Sequence, residues 1–564
     1  MTLEIAVVVL TQQSVWVARQ IMQGLPNATL YGLSGRTSDV DVSFDRFGDT
    51  VRDLFRSGTA IVGICAAGIL IRTIAPLLLD KRAEPPVLAI AEDGSAVVPL
   101  LGGLNGVNNL ARQIAAVLQI QAAITTTGEI RFGTVLENPP PGYCLSNPDC
   151  AKSFTSDLLS GATVRIEGDA PWLNALPIDS NSALTIQITE RSQSSTRDCL
   201  VYHHKTVAVC VDEVDNFSVE DWIDLISQRL IDLNLAISSI AGIFARLDDA
   251  TQIDAIAHAF NVPARFFCSN PAREVMDLTD ATIVAQDNSL TIAVASQIID
   301  PTQIGQARGK LSIIGTGPGS PQWMSPEVKA ILESATDLVG YTTYLNLLGS
   351  LSAGKQRHDS DNREEEARAK FALDLAAQGR SVVVVSSGDP GIYAMATAIF
   401  EVFDRHRNPN WNHIDIHVAP GISAMQAAAA AIGAPLGHDF CAISLSDILK
   451  PWTAIEQRIR SAAEADFAIA FYNPISSQRT WQLVEAKKIL LKIRNPTTPV
   501  VLARNLGRPG ESVKVIALEQ LTPELADMRT IILVGSSKTR RIDRANGSVW
   551  VYTPRRYSDE SEPS

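Results

Sequence analysis

The chain lacks the markers of several function classes. No C-x-x-C pair occurs among its seven cysteines: Cys65, Cys144, Cys150, Cys199, Cys210, Cys268 and Cys441. An odd, scattered set argues for neither a zinc site nor a disulfide framework, and points to a reducing cytoplasm. No apolar run has the length of a bilayer crossing; the longest, residues 58–71, stops at Arg72. The start carries Glu4 and no basic stretch, so a secretory signal is not expected. Basic residues are in the minority, 48 Lys and Arg against 61 Asp and Glu, for a net charge of −13. That balance argues against nucleic acid as the main partner. No internal repeat is visible. What is present is an ordinary globular composition, 46% hydrophobic and 19% charged over 564 residues. This suffices for several cores, and the length fits about three or four domains.

The pattern along the chain alternates strand and helix, which predicts α/β layering. Residues 5–10, 60–64, 87–91 and 97–101 read as strands; a helix follows Ser14, and another covers 106–118. Residues 138–150 are dense in proline and mark a connection. A weaker α/β region runs from 157 to 299. Residues 301–310 read as the main linker, after which a clear strand, 311–314, restarts the pattern. The polar end, 555–564, is expected to be disordered.

Three glycine loops follow strands in the second half. The first, G-T-G-P-G from Gly315 to Gly319, is not a dinucleotide fingerprint. The position that needs the last glycine is Ser320, and Pro318 removes a backbone donor that a pyrophosphate would use. The next helix is expected to start later, with Ser325 as N-cap and Pro326 at its first position. The second loop, S-S-G-D-P-G from Ser386 to Gly391, follows a four-valine run typical of a strand buried on both faces. Asp389 there reads either as the cap of a following helix or as a ligand contact. The third, A-P-G-I-S from Ala419 to Ser423, follows the strand-like residues 414–418. Ligands of open α/β sheets bind outside the carboxyl ends of strands.

With G-T-G-P-G, S-S-G-D-P-G-I-Y-A-M-A, A-P-G-I-S-A and Y-N-P (residues 472–474), the second half resembles the tetrapyrrole (corrin/porphyrin) methylase family. Three further stretches are similar to its precorrin-3B C-17 methyltransferase branch. They are V-G-Y-T-T-Y-L (339–345), G-A-P-L-G-H-D-F-C-A-I-S-L-S-D-I-L-K-P-W (433–452) and D-F-A-I-A-F-Y-N-P (466–474). The likeness covers about 311–539. It implies two α/β subdomains, 311–424 and 425–554, S-adenosylmethionine as cofactor, a tetrapyrrole substrate (precorrin-3B or its cobalt analogue), and a homodimer formed through this half. No nucleic acid and no membrane is implied.

Carried over by resemblance, Gly315, Gly317, Pro318 and Gly319 line the cofactor cleft from the first loop. Gly388, Asp389, Pro390, Gly391 and Tyr393 do so from the second, and Gly421, Ile422 and Ser423 from the third. Tyr472, Asn473 and Pro474 close it from the C-terminal side. Methyl transfer from a sulfonium is an in-line displacement that depends mostly on positioning. The branch also contracts the macrocycle through a lactone, which moves protons. His438, Asp439 and Asp447 are the candidates for that work because they share one motif. Their plainer readings stay open: a turn residue at Asp439, and at Asp447 a cap for a helix holding Ile448 and Leu449. The stretch R-E-E-E-A-R, 363–368, reads as a solvated helix face or, since the branch carries a similar Arg-Glu stretch, as one that meets substrate carboxylates, and Cys441 as a small core hydrophobe.

The first half is similar to the cobalt-precorrin-5A hydrolase family. The stretches that carry this are V-G-I-C-A-A-G-I-L-I-R-T-I-A-P-L-L-L-D-K (62–81), P-P-V-L-A-I-A-E-D-G (85–94) and V-V-P-L-L-G-G-L-N-G-V-N-N-L-A (97–111). The resemblance implies an N-terminal domain at 1–136, a central region at 137–205 and a divergent part at 206–300. Where that family shows S-G-H, this chain has Gly102, Gly103 and Leu104. Later, V-A-V-C-V-D-E (207–213) and I-F-A-R-L-D-D (243–249) place Phe244 and Arg246 at the family's aspartate and lysine. A binding module that has lost hydrolysis is the expectation, with a bifunctional enzyme as its alternative; for the second half, the alternative is methylation at another ring carbon.

Overall fold

The computed structural model describes residues 4–556 except 26–27, 194–195, 213–216, 248–249, 353, 362–363 and 477–478. Glu213, Asp248, Asp249, Arg363 and the end of the tail, which figure in the sequence reading, lie outside the described residues. The chain divides into two compact units, Met1–Arg308 and Gly309–Ser564. The architecture is mixed α/β throughout.

Among the described residues the first unit holds three sheets. The first has the order Val42–Phe44, Ala28–Leu33, Ile5–Val9, Ala60–Ile64, Val87–Ile90, Val97–Leu101, parallel but for its last strand. Ile5–Val9 and Ala60–Ile64 are buried at every position, as strands covered on both faces must be. A four-stranded sheet and a five-stranded sheet follow; the first takes its edge strand Tyr143–Leu145 from the proline-dense stretch read as a connection, and the other strands lie where the sequence shows only a weak pattern, between 157 and 299. The polar stretch after Pro301 is tied down: Gln306 exchanges backbone hydrogen bonds with Phe266 at 2.8 and 3.0 Å.

Among the described residues the second unit contains two five-stranded sheets and a small three-stranded one. Its first large sheet is wholly parallel, in the order Gln356–Ser360, Asp337–Tyr341, Ser381–Ser386, Lys310–Gly315, Asp415–Ala419. Val382–Val385 are at most 1% exposed, and burying each such side chain is worth roughly 1.5–3 kcal/mol. Helix Pro326–Ser334 begins as its sequence requires: the Ser325 hydroxyl accepts from the Val328 amide at 3.1 Å, and Val328 and Leu332 are fully buried. The second large sheet runs Phe440–Ser444, Ala468–Tyr472, Thr530–Val534, Pro499–Arg504, Ser512–Ala517. Only its first pair is parallel.

Three local expectations need correction. The helix after the second loop starts at Met395, so Asp389 does not cap it. Residues 448–449 are not helical; the helix starts at Trp452, and Ile448 and Leu449 are 77% and 90% exposed. Arg368, read as part of a solvated face, is only 5% exposed because its guanidinium turns inward to Ser360, Asp361 and Met395.

Candidate functional site

Register brings the glycine loops together. In the parallel sheet Gly315 stands opposite Ser386, and Ile314 opposite Ala419, so all three loops leave the same edge. There they pack backbone on backbone. A Cβ on Gly315 would sit 2.4 Å from the Gly388 carbonyl oxygen and 2.8 Å from the Gly421 amide nitrogen. Gly317 and Gly388 form an isolated bridge with hydrogen bonds of 3.2 and 2.8 Å in the two directions. Both have φ near +74°, a backbone that side chains rarely adopt.

Asp389 fastens this arrangement. One carboxylate oxygen accepts from the Gly391 amide at 2.8 Å, and the other from the Gly421 amide at 3.2 Å, so the second loop holds the third. Ser423 spends its side chain on capping helix Ala424–Ile432 in a reciprocal pair with Gln426. Ile422, next to it, is 40% exposed. Gly388 itself faces open space: a Cβ there would find nothing nearer than 3.9 Å. A cradle of bare backbone with one open side fits a ligand pressed against peptide groups.

The second large sheet closes the cradle. Tyr472 ends strand Ala468–Tyr472, and its hydroxyl accepts from the Met425 amide at 3.3 Å. Its ring lies 5.2 Å from that of Tyr393, whose hydroxyl donates to the Ala442 carbonyl at 2.9 Å. Burial raises both phenols above their ordinary value, so both stay neutral donors. Asn473, at φ +50°, donates to the Ser444 hydroxyl at 3.1 Å and takes a hydrogen bond from Arg479 at 3.0 Å. Pro474 is buried beside it. Lys450 lies 5.8 Å above the Tyr393 ring, its ammonium lowered by burial and by the neighbouring Arg458 charge.

The three proton-transfer candidates do not form a cluster. His438 and Asp439 precede strand Phe440–Ser444, and Asp447 follows it, which puts roughly 13 Å of strand between them. Asp439 pairs with His438 and is mostly exposed. Asp447 lies at the Tyr472 end, where Gln482 donates to it at 3.0 Å.

Sequence reading missed a fourth glycine loop, N-L-G-R-P-G at 505–510, which follows strand Pro499–Arg504 and packs on the first. A Cβ on Gly507 would sit 2.8 Å from the Ser320 amide nitrogen. Arg508 from this loop donates to the Pro318 carbonyl at 2.8 Å and to the Ser387 hydroxyl at 2.7 Å. Its side chain explains Gly319, where a Cβ would meet Arg508 Cγ at 2.3 Å. The signal, glycine in a loop that follows an apolar run, is shared by the other three loops.

The family model for tetrapyrrole (corrin/porphyrin) methylases matches residues 310–522. A precorrin-3B C(17)-methyltransferase of a Sinorhizobium species is 47% identical over 254 residues, 45% of this chain and 99% of that relative. The chain belongs to the tetrapyrrole methylases. A further methylase relative, a probable cobalt-factor III C(17)-methyltransferase of Salmonella typhimurium, is 40% identical over 41% of this chain and 93% of its own length. The cobalamin biosynthesis protein CobIJ of Mycobacterium bovis is 46% identical over 255 residues, 44% of this chain. The chain spans about half the length of that protein, 49%. The solved structure of the methyltransferase CobJ is 49% identical over 44% of this chain and all of its own, with a TM-score of 0.41. In the first unit, residues 49–129 match the model for the N-terminal part of cobalamin synthesis protein G. The two matched segments thus fit different family models on one chain. Among the described residues, no helix is long and apolar enough to cross a membrane.

Proposed function

We propose that the methylase half transfers a methyl group from S-adenosylmethionine to carbon 17 of precorrin-3B, or of its cobalt-containing analogue, during corrin-ring assembly. The observation that carries this reading is the meeting of Gly315, Gly388 and Gly421 as bare backbone at one sheet edge, with Tyr393 and Tyr472 across from them. The bound cofactor supplies a sulfonium-activated methyl. The chain's part is placement. Gly317, Pro318 and Gly319 shape one wall, Gly388 to Gly391 with Tyr393 a second, and Gly421 to Ser423 a third. Asp389 fixes the distance between the last two, while Tyr472, Asn473 and Pro474 close the far side. In-line displacement rewards such fixed geometry more than any acid or base.

Ring contraction does ask for a proton carrier, and Asp447 fits best, since it stands at the Tyr472 end of its strand. His438 and Asp439 are assigned to the turn that opens that strand. A homodimer through this half and a cytoplasmic setting belong to the same reading. The test is the full chain with S-adenosylmethionine and either substrate; NMR of the product separates carbon 17 from any other ring carbon.

For the first half the reading is a corrinoid-binding module without lactone hydrolysis. Phe244 has no ionisable group and is fully buried in its sheet, and Leu104 can neither move a proton nor bind a metal. Arg246 is exposed and permanently charged, suited to pairing with a carboxylate but not to acting as a base. Incubation with cobalt-precorrin-5A should release no acetaldehyde; release above background would make the chain bifunctional.

A further inference from the structure

Arg508 is a cation at the junction of the loops. Its guanidinium donates to two neutral acceptors, the Pro318 carbonyl and the Ser387 hydroxyl. Among the described residues no carboxylate lies within ion-pair distance of it. Its remaining N–H groups have no protein acceptor there, and none is among the sealed, unpartnered atoms of the interior, so they are open to approach. Burial lowers the guanidinium from its ordinary value; Tyr344 acts against this and the Arg529 charge acts with it. Tyr344, from the V-G-Y-T-T-Y-L stretch, is near enough to feel the charge. A half-buried cation held so is undercompensated until an anion arrives. The planar fork matches a carboxylate with two parallel hydrogen bonds.

We propose that Arg508 is the anchor for a carboxylate of the bound reactants. This rests on the methyl-transfer reading, which supplies two sources of that chemistry: the amino-acid carboxylate of the cofactor, and the acetate and propionate arms of the macrocycle. The anchored loops and the anchored ligand then share one residue. Arg508 contacts the first loop at Pro318 and the second at Ser387, so pairing with a ligand carboxylate would fix both walls of the cradle around it.

The test is a cycle between one side chain and one ligand group, read by calorimetry on the full chain. S-adenosylhomocysteine is compared with its decarboxylated form, and uroporphyrin with its fully amidated form, on wild type and Arg508→Gln. Expected is a loss of tenfold or more for one carboxylate ligand and little change for its neutral counterpart; whichever pair shows it names the source. Equal losses for charged and neutral forms in both pairs would make Arg508 a loop clamp only and overturn the proposal, as would no loss. Arg508→Lys keeps the charge without the fork and should lie between; it serves if the glutamine variant misfolds by circular dichroism. Failure of the wild type to bind S-adenosylhomocysteine would instead strike the methyl-transfer reading itself.

Discussion

A methyl group added to Gly421 would sit 2.1 Å from the carbonyl oxygen of Gly388. Neither backbone can move far, since Gly388 is bridged to Gly317 and the Gly421 amide is held by Asp389. Gly421→Ala should therefore destabilise the second unit by about 3 kcal/mol, the upper range for overpacking. Gly388→Ala has room but a φ of +73°, so its stability cost should be nearer about 1 kcal/mol. Its Cβ would enter the open side of the cradle, so the thermal shift given by S-adenosylhomocysteine should shrink sharply although the variant folds. An undiminished shift would mean that Gly388 only makes a turn.

The Asp337 carboxylate, on the first residue of strand Asp337–Tyr341 in the parallel sheet, is fully buried, bound by Arg380 at 2.7 and 2.8 Å and by His358 at 2.8 Å. Burial acts to raise this carboxyl, but the hydrogen bonds from Arg380, Thr336 and His358 outweigh it and hold it below its ordinary value. A carboxylate depressed in the folded state contributes stability above its unfolded value, near about 4, that is lost as pH falls through the folded one. Arg380→Ala leaves the charge undercompensated and should cost about 3 kcal/mol at neutral pH. Acid unfolding, followed by circular dichroism, should then begin at a higher pH than in wild type. An unchanged acid midpoint would remove this pair from the stability of the unit.

Much of this was legible beforehand, and the failures have physical causes. Val382–Val385 and Ser325–Pro326 declare their strand and helix start because burial and capping act locally. The convergence of the loops was suggested by three repeats of one local pattern, though register alone brings them to one edge. Asp389 looked like a cap because Pro390 follows it; its bond to the Gly421 amide joins segments 32 residues apart, which no local rule detects. His438 and Asp447 share a motif but sit at opposite ends of a strand, since closeness in sequence is not closeness in an extended chain. Arg508 hides in a loop whose partner, Pro318, is 190 residues away.

The two ends of strand Phe440–Ser444 should separate in activity. Asp447→Asn keeps the shape and the Gln482 contact while removing the proton acceptor, so turnover to ring-contracted product should fall by about 100-fold, the scale of general acid–base catalysis. The Michaelis constants should change little. His438→Ala should leave turnover within about twofold. A large loss in the histidine variant with none in the asparagine variant would exchange the two assignments.

The central claim is methyl transfer to one carbon of one macrocycle. Its most direct measurement is incubation of the full chain with methyl-labelled S-adenosylmethionine and precorrin-3B, or its cobalt analogue, followed by carbon NMR of the product. A single labelled methyl is expected at carbon 17 on a contracted ring. Label at another carbon, or no transfer to either substrate, would contradict it.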